Sequence, residues 1–305
     1  MGRRRGGRRL APGERMGGAA ITLAAVLGAA SPQLAAVPLT LFVLACCAAP
    51  FFPALNFFLP VTTRAASAVG GVALTFDDGP DPNTTPFLLD LLHRHGVHAT
   101  FFVTGQQAEA YPALMAAIAL SGHDVGNHSH SHDMLLMLRG RRALEREIDR
   151  AAAVLAKLGF DSRAFRPPVG IVGPHLGPVL NRRGMFAVTY SCRALDCGNR
   201  RVDHISRHIL GRVRCGDIIM LHDAMPPDAA LLPAWQKEVA HLLEGLVRKN
   251  LPVLPLSAFV NRPVTIPCNS SSTAGPRPGG RRWVGRQRHG SRSRTLLFRI
   301  PDRGL

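Results

Sequence analysis

From Val72 onward, short apolar runs alternate with stretches of helical period. Val72–Asp78, Ala99–Gly105, Asp124–Asn127, Ala164–Pro167, Met185–Cys192, Asp217–His222 and Pro252–Leu256 read as strands. Between them, Thr85–His95, Ala108–Ser121, Arg139–Leu158, Asp203–Val213 and Leu231–Asn250 have the length and period of helices. Asp203 is suited to cap its helix, and Gly96 and Gly159 stand where helix stops are expected. This alternation predicts an α/β fold around a parallel sheet, either open or closed into a barrel. In such folds chemistry collects at the C-terminal ends of the strands.

The N-terminal quarter has a different pattern. No charged residue occurs from Met16 to Thr63, and most of the stretch is Ala, Leu, Val and Phe. A span needs roughly 20 apolar residues, so residues 16–63 hold one membrane helix or a hairpin of two. Pro32 and Pro38 mark a break between a segment near Gly17–Ala30 and another near Leu39–Leu59, which Pro50 and Pro53 would kink or end. A cleaved signal peptide fits less well, because the apolar run exceeds the usual core. Residues 1–15 form a basic N-terminus whose Arg3, Arg4, Arg5, Arg8 and Arg9 favour the cytoplasmic side. The stretch from 262 to 305 is Ser, Gly, Pro and Arg with few apolar residues, which predicts a basic disordered tail. A single globular domain is thus expected at 65–261, tethered to a cell membrane.

Charge sharpens this division. The 305-residue chain carries a net charge of +17, which for the whole would suggest a nucleic-acid or anionic-membrane binder. Residues 1–64 account for +6 and residues 262–305 for +9, leaving +2 for the middle. Nucleic acid is therefore not the expected partner of the central domain. A hydrophobic content of 46% excludes wholesale disorder, and six Cys in this length exclude a disulfide scaffold.

Polar residues gather where the strands end. Thr75-Phe76-Asp77-Asp78-Gly79-Pro80 closes the first strand with two adjacent carboxylates, which suit a metal site or a solvated turn. His128 and His132 are four apart, so on one helical turn both imidazoles would share a face. That spacing supplies two metal ligands or is a surface coincidence. Arg166, followed by Pro167, Pro168, Val169 and Gly170, ends another strand and has a fork that can orient a carboxylate. Asp217–His222 brings a His to the end of an apolar run, as a general acid or a core residue. Cys192, Cys197 and Cys215 lack the spacing of a structural zinc site.

In this order, Thr75-Phe76-Asp77-Asp78-Gly79, His128-Ser129-His130-Ser131-His132, Arg166-Pro167-Pro168-Val169-Gly170, Asp196 and Leu221-His222 resemble the motifs of the polysaccharide deacetylases. These are the NodB-homology, or family 4, carbohydrate esterases, and the resemblance covers roughly residues 70–260. It implies a distorted (β/α) barrel and removal of N-acetyl groups from an amino-sugar glycan. It implies that Asp78, His128 and His132 hold one divalent metal, usually zinc. Asp77 would be the base, paired with Arg166, and His222 the acid, oriented by Asp196. Leu221 would line the pocket for the acetyl methyl, beside the Pro167–Val169 loop, and the Val169 N–H would bind the developing oxyanion. Val169 stands where the family often has an aromatic residue, and Cys197 where many members have Trp. These departures bear on the substrate more than on the reaction. The competing readings are a hydrolase of another amide, a non-catalytic glycan-binding relative, and a basic membrane- or nucleic-acid-associated protein.

Overall fold

A computed structural model describes residues 10–65 and 69–267. Two helices come first, α1 (Pro12–Ala30) and α2 (Pro32–Ala48), joined at Ser31. The alternating part follows as β1 (Val61–Thr62), β2 (Ala73–Asp77), α3 (Thr85–Arg94), β3 (Thr100–Val103), α4 (Gly105–Ala110), α5 (Pro112–Leu120) and β4 (Asp124–Asn127). Next come α6 (Arg141–Lys157), β5 (Phe160–Ser162), β6 (Ala164–Phe165), α7 (Leu176–Arg182), β7 (Phe186–Val188) and β8 (Cys192–Arg193). The last elements are α8 (Ile205–Leu210), β9 (Ile218–His222), α9 (Leu232–Arg248), α10 (Leu256–Val260) and β10 (Thr265–Pro267).

Eight parallel strands form one curled sheet in the order β1-β7-β6-β4-β3-β2-β9-β8, a half-barrel with ends at β1 and β8. Its central strands are buried on both faces, so they read as apolar runs rather than alternating ones. Leu74 and Phe76 of β2, Phe101 and Val103 of β3, and Ile219 and Leu221 of β9 face the helical layer. There they pack with Leu88, Leu92, Met115, Ile118, Trp235 and Leu242. The alternate positions, Ala73, Phe102, Ala164, Phe186, Val188 and Ile218, fill the inside of the curl together with Leu256 and Phe259 of α10. Thr75, Asp77 and Arg166 are all buried toward the C-terminal ends of their strands.

Several expectations are corrected. The expected strand Pro252–Leu256 is reduced to a bridge between Val72 and Val253. Its prolines at 252 and 255 lack the N–H groups a longer ladder needs. The expected helix Ala108–Ser121 is two helices, because Pro112 begins a new one after Tyr111. Asp203 does not cap α8; His204 occupies that position in the left-handed region.

The domain limits also move outward. Leu59 and Val61, placed by composition in the apolar segment, are core residues, and β1 pairs with β7. Beyond 261, Val264 is fully buried, Arg262 lies 3.7 Å over the Phe186 ring, and β10 pairs antiparallel with β5. The packed domain therefore runs from β1 to β10. Residues 1–9 and 268–305, including most of the expected basic N-terminus and tail, lie outside the described residues.

In the N-terminal hairpin the break falls at Ser31-Pro32, and Pro38 lies inside α2. The two helices approach closely where Gly17 meets the Phe42 ring. Pro32–Phe51 is a 20-residue apolar stretch of mean hydropathy 2.2, long enough by length and composition to cross a membrane.

Candidate active site

The site sits where β2, β4, β6 and β9 end. Asp77 closes β2 with its side chain inside the curl, and Asp78 follows at φ 75°, in the left-handed region. Gly79 comes next because nothing larger fits. A Cβ there would lie 2.3 Å from the Asp223 carboxylate.

His128 and His132 converge, but not from a helix. Residues after β4 form a tight loop in which Ser129 and His132 both have positive φ. The Asn127 side chain accepts from the Ser129 N–H at 2.9 Å, and Glu147 of α6 accepts from the N–H groups of His130 and Ser131 at 3.1 and 2.8 Å. His128 Nδ1 donates to the Arg166 carbonyl at 2.8 Å, which leaves Nε2 with its lone pair for the site.

Nε2 of His128 and of His132 lie 3.4 and 3.3 Å from Asp78 Oδ1. That oxygen is buried and has no hydrogen-bond partner. Among the described residues, Asp78, His128 and His132 are the one group whose donor atoms all lie within 4.8 Å of one another. A buried carboxylate oxygen without a partner is costly unless a cation meets it, and two imidazoles with one carboxylate is a common divalent-metal donor set. The residues fit a metal ion. Burial pushes the Asp78 carboxyl up, but the imidazoles of His128, His132 and His222 outweigh it and hold the carboxyl below the usual range. Burial pulls both imidazoles, His128 and His132, down. It prevails at His132, whereas Asp77 and Asp78 raise His128.

Arg166 is fully buried beside this group. It donates to Asp77 Oδ1 at 2.5 Å, to Thr75 Oγ1 at 2.8 Å and to the Thr189 carbonyl at 3.0 Å, and it stacks 4.0 Å over the Phe102 ring. Three acceptors and a ring fix its plane, so the Asp77 carboxylate is held in one orientation.

Across the site, the His222 Nδ1 donates to Asp196 Oδ2 at 2.8 Å. Burial pulls the imidazole down, but the hydrogen bond and charge of Asp196, with Asp78 and Asp77, raise it to about 9. Leu221 needs a correction. Alternation along β9 turns it away from His222 into the helical layer, where it is fully buried. Met220, two residues before His222, shares its face. Pro167 is buried, while Val169 is exposed and adopts φ 53°. A β-branched residue in the left-handed region is unusual and marks a constrained backbone.

Sequence reasoning missed Asn127, Glu147 and Asp223. Asp223 accepts from the Thr84 and Thr85 hydroxyls, both at 2.7 Å, and burial raises it to about 7. Its position next to His222 was the available signal; Glu147 lay on a helix with no motif.

A curled parallel sheet with a His-His-Asp cluster and an Asp–Arg pair at its strand ends defines a class, that of α/β proteins with a candidate metal site at the strand ends. The particular family follows from comparison with known proteins. The profile of the family described as polysaccharide deacetylase matches residues 66–188. The chain is 34% identical over 196 residues to a chitooligosaccharide deacetylase of Azorhizobium caulinodans, covering 63% of this chain and 92% of that one. It is 35% identical over 152 residues to a peptidoglycan-N-acetylglucosamine deacetylase of Bacillus cereus, covering 50% and 55%. The crystal structure of the Bc1960 peptidoglycan N-acetylglucosamine deacetylase superposes with a TM-score of 0.61 at 27% identity, covering 67% of this chain and 94% of that one. The chain belongs to the polysaccharide deacetylase family, the family 4 carbohydrate esterases, and is an enzyme of that class.

Proposed function

We propose that the protein hydrolyses the N-acetyl amide of an amino-sugar glycan, yielding a free amine and acetate. The observation that carries this reading is the unpartnered Asp78 oxygen facing two imidazole nitrogens, set between a fixed carboxylate and an acidic imidazole. Asp78, His128 and His132 would hold one divalent ion, and two imidazoles with one carboxylate suit zinc. When bound, such an ion lowers the pKa of a water and polarises the acetyl carbonyl.

The chain's own residues supply the rest. Asp77, aimed by Arg166, takes the proton of the attacking water. The Val169 N–H donates to the carbonyl oxygen as negative charge grows there. His222, protonated and oriented by Asp196, gives its proton to the departing sugar nitrogen, an otherwise poor leaving group. Met220 and the Pro167–Val169 loop would flank the acetyl methyl.

The test is acetate release from chitooligosaccharide by the full chain, before and after chelation. Activity should vanish with chelator and return with zinc. Asp77→Asn should lower turnover by about 10²–10⁴-fold while metal content stays unchanged. Turnover at the parent rate in that variant would overturn the assignment.

We further propose that α1 and α2 attach the enzyme to a bacterial-type cell membrane. Support comes from the 2.2 mean hydropathy of Pro32–Phe51 and from the exposure of Leu41, Val43, Leu44 and Phe51 on its surface. After cell fractionation the full chain should need detergent for extraction, and extraction by alkaline carbonate alone would refute the anchor.

A further inference from the structure

A cavity of about 890 Å³ lies between the N-terminal hairpin and the catalytic domain. One wall is the start of α1, the second half of α2 and the turn after it, including Phe42, Cys46, Cys47 and Phe51. The other is the catalytic domain's 134–140 and 171–178 loops. The volume falls in the range of sites that enclose small ligands.

Two features say what kind of molecule enters. The first is that the wall belongs to Pro32–Phe51, the stretch apolar enough to span a bilayer, and that large apolar side chains remain exposed on both sides. Phe51, Met134 and Leu138 are 66%, 65% and 81% exposed. Hydrocarbon is the medium such a rim matches. The second is its nearness to the chemistry. His132 is two residues from Met134, and Val169 is two residues from Ile171, both of which line the cavity. Two residues of chain span at most about 7 Å. Two separate loops that carry candidate site residues, His132 and Val169, thus each reach the mostly apolar cavity within two residues.

We propose that this cavity binds the aliphatic chain of the substrate, and that the enzyme deacetylates an amino sugar joined to a membrane lipid. This inference rests on the deacetylase reading above and adds the substrate class. The chain enters from the bilayer along α2, and the sugar is held one unit beyond it, with its acetamido group at Asp78, His128 and His132.

The experiment uses the full chain in phospholipid nanodiscs, loaded with zinc. Substrates are N-acetylglucosaminides with methyl, octyl and octadecyl aglycones, and chitooligosaccharide. KM should fall with chain length, by roughly tenfold or more from methyl to octadecyl, since each buried methylene adds to binding. The preference should collapse in Leu135→Glu and in Cys47→Trp, which alter opposite walls. A preference that survives in both variants reflects concentration in the bilayer and overturns the proposal. Equal KM for all aglycones overturns it too, while leaving the deacetylase reading intact. No acetate from any substrate overturns both.

A second readout is independent of turnover. In the Asp77→Asn protein, an octadecyl N-acetylglucosaminide carrying a diazirine on its chain should label peptides spanning 134–140 or 171–178. The unlabelled octadecyl glycoside should compete, and chitooligosaccharide should not. Labelling elsewhere only, or labelling that the glycoside does not compete, refutes the site.

Discussion

His222 and Asp196 together set how activity should depend on pH. Burial opposes the charged imidazole, yet the Asp196 carboxylate 2.8 Å away raises it to about 9. A raised imidazole pKa means the acid form is present below that value and is lost as pH rises through it. The alkaline limb of kcat/KM should therefore fall near pH 9. Asp196→Asn should move that limb toward acid by about 1 unit or more, read from pH–rate profiles. The same sign applies to stability: the contribution is full below the unfolded imidazole pKa and fades as pH rises through about 9. Arg166 bears on stability as well as chemistry. It is fully buried and satisfies Asp77, Thr75 and the Thr189 carbonyl. Arg166→Ala should cost about 3–5 kcal/mol in denaturant unfolding, because the Asp77 charge stays behind without its partner. Lys would not restore it, since one ammonium cannot reproduce a fork held by three acceptors and a ring.

At the scale of elements, the loop that carries His128 and His132 depends on a helix outside the candidate metal group. Glu147 of α6 accepts from two N–H groups and the Ser131 hydroxyl. Glu147→Ala should weaken metal retention by about 10–100-fold with Asp78, His128 and His132 intact, as measured by competition with a chelator. The same loop places the two imidazoles of the His-x-x-x-His spacing side by side by a route other than the helical turn that the spacing suggests. Positive φ at Ser129 and His132 brings the imidazoles together without a helical turn. Leu221 illustrates the converse. Strand alternation was readable from sequence, but which face of β9 met the site depended on its pairing with β2, where His222 lies opposite Asp77.

At the scale of the whole molecule, the catalytic unit is closed by its ends. Val264 is fully buried, and the Thr265 hydroxyl exchanges hydrogen bonds with the backbone of Val125 on β4. A chain ending at 261 should be less stable than one ending at 267 by about 2–4 kcal/mol, from one buried valine and two hydrogen bonds. Equal melting temperatures for the two would show that β10 contributes nothing. Composition could not find this edge, because Arg262–Pro267 carries the same Arg and Pro signature as the residues after it.

The alternation of central strands with helices and the apolar character of the N-terminal segment were determined by the sequence itself, since period and hydropathy are local properties. The chemistry-bearing types at the strand ends were legible for the same reason. Tertiary structure alone decided which of them meet. Asp78, His128 and His132 lie up to 54 positions apart along the chain, and only parallel pairing of β2, β3 and β4 brings them within reach of one ion. It also decided that Leu221 is core, that Glu147 ties down the loop after β4 while Asp223 holds the Thr84 and Thr85 hydroxyls, and that the hairpin leaves a cavity beside the catalytic domain. Each of these rests on contacts between distant segments, which no local pattern encodes.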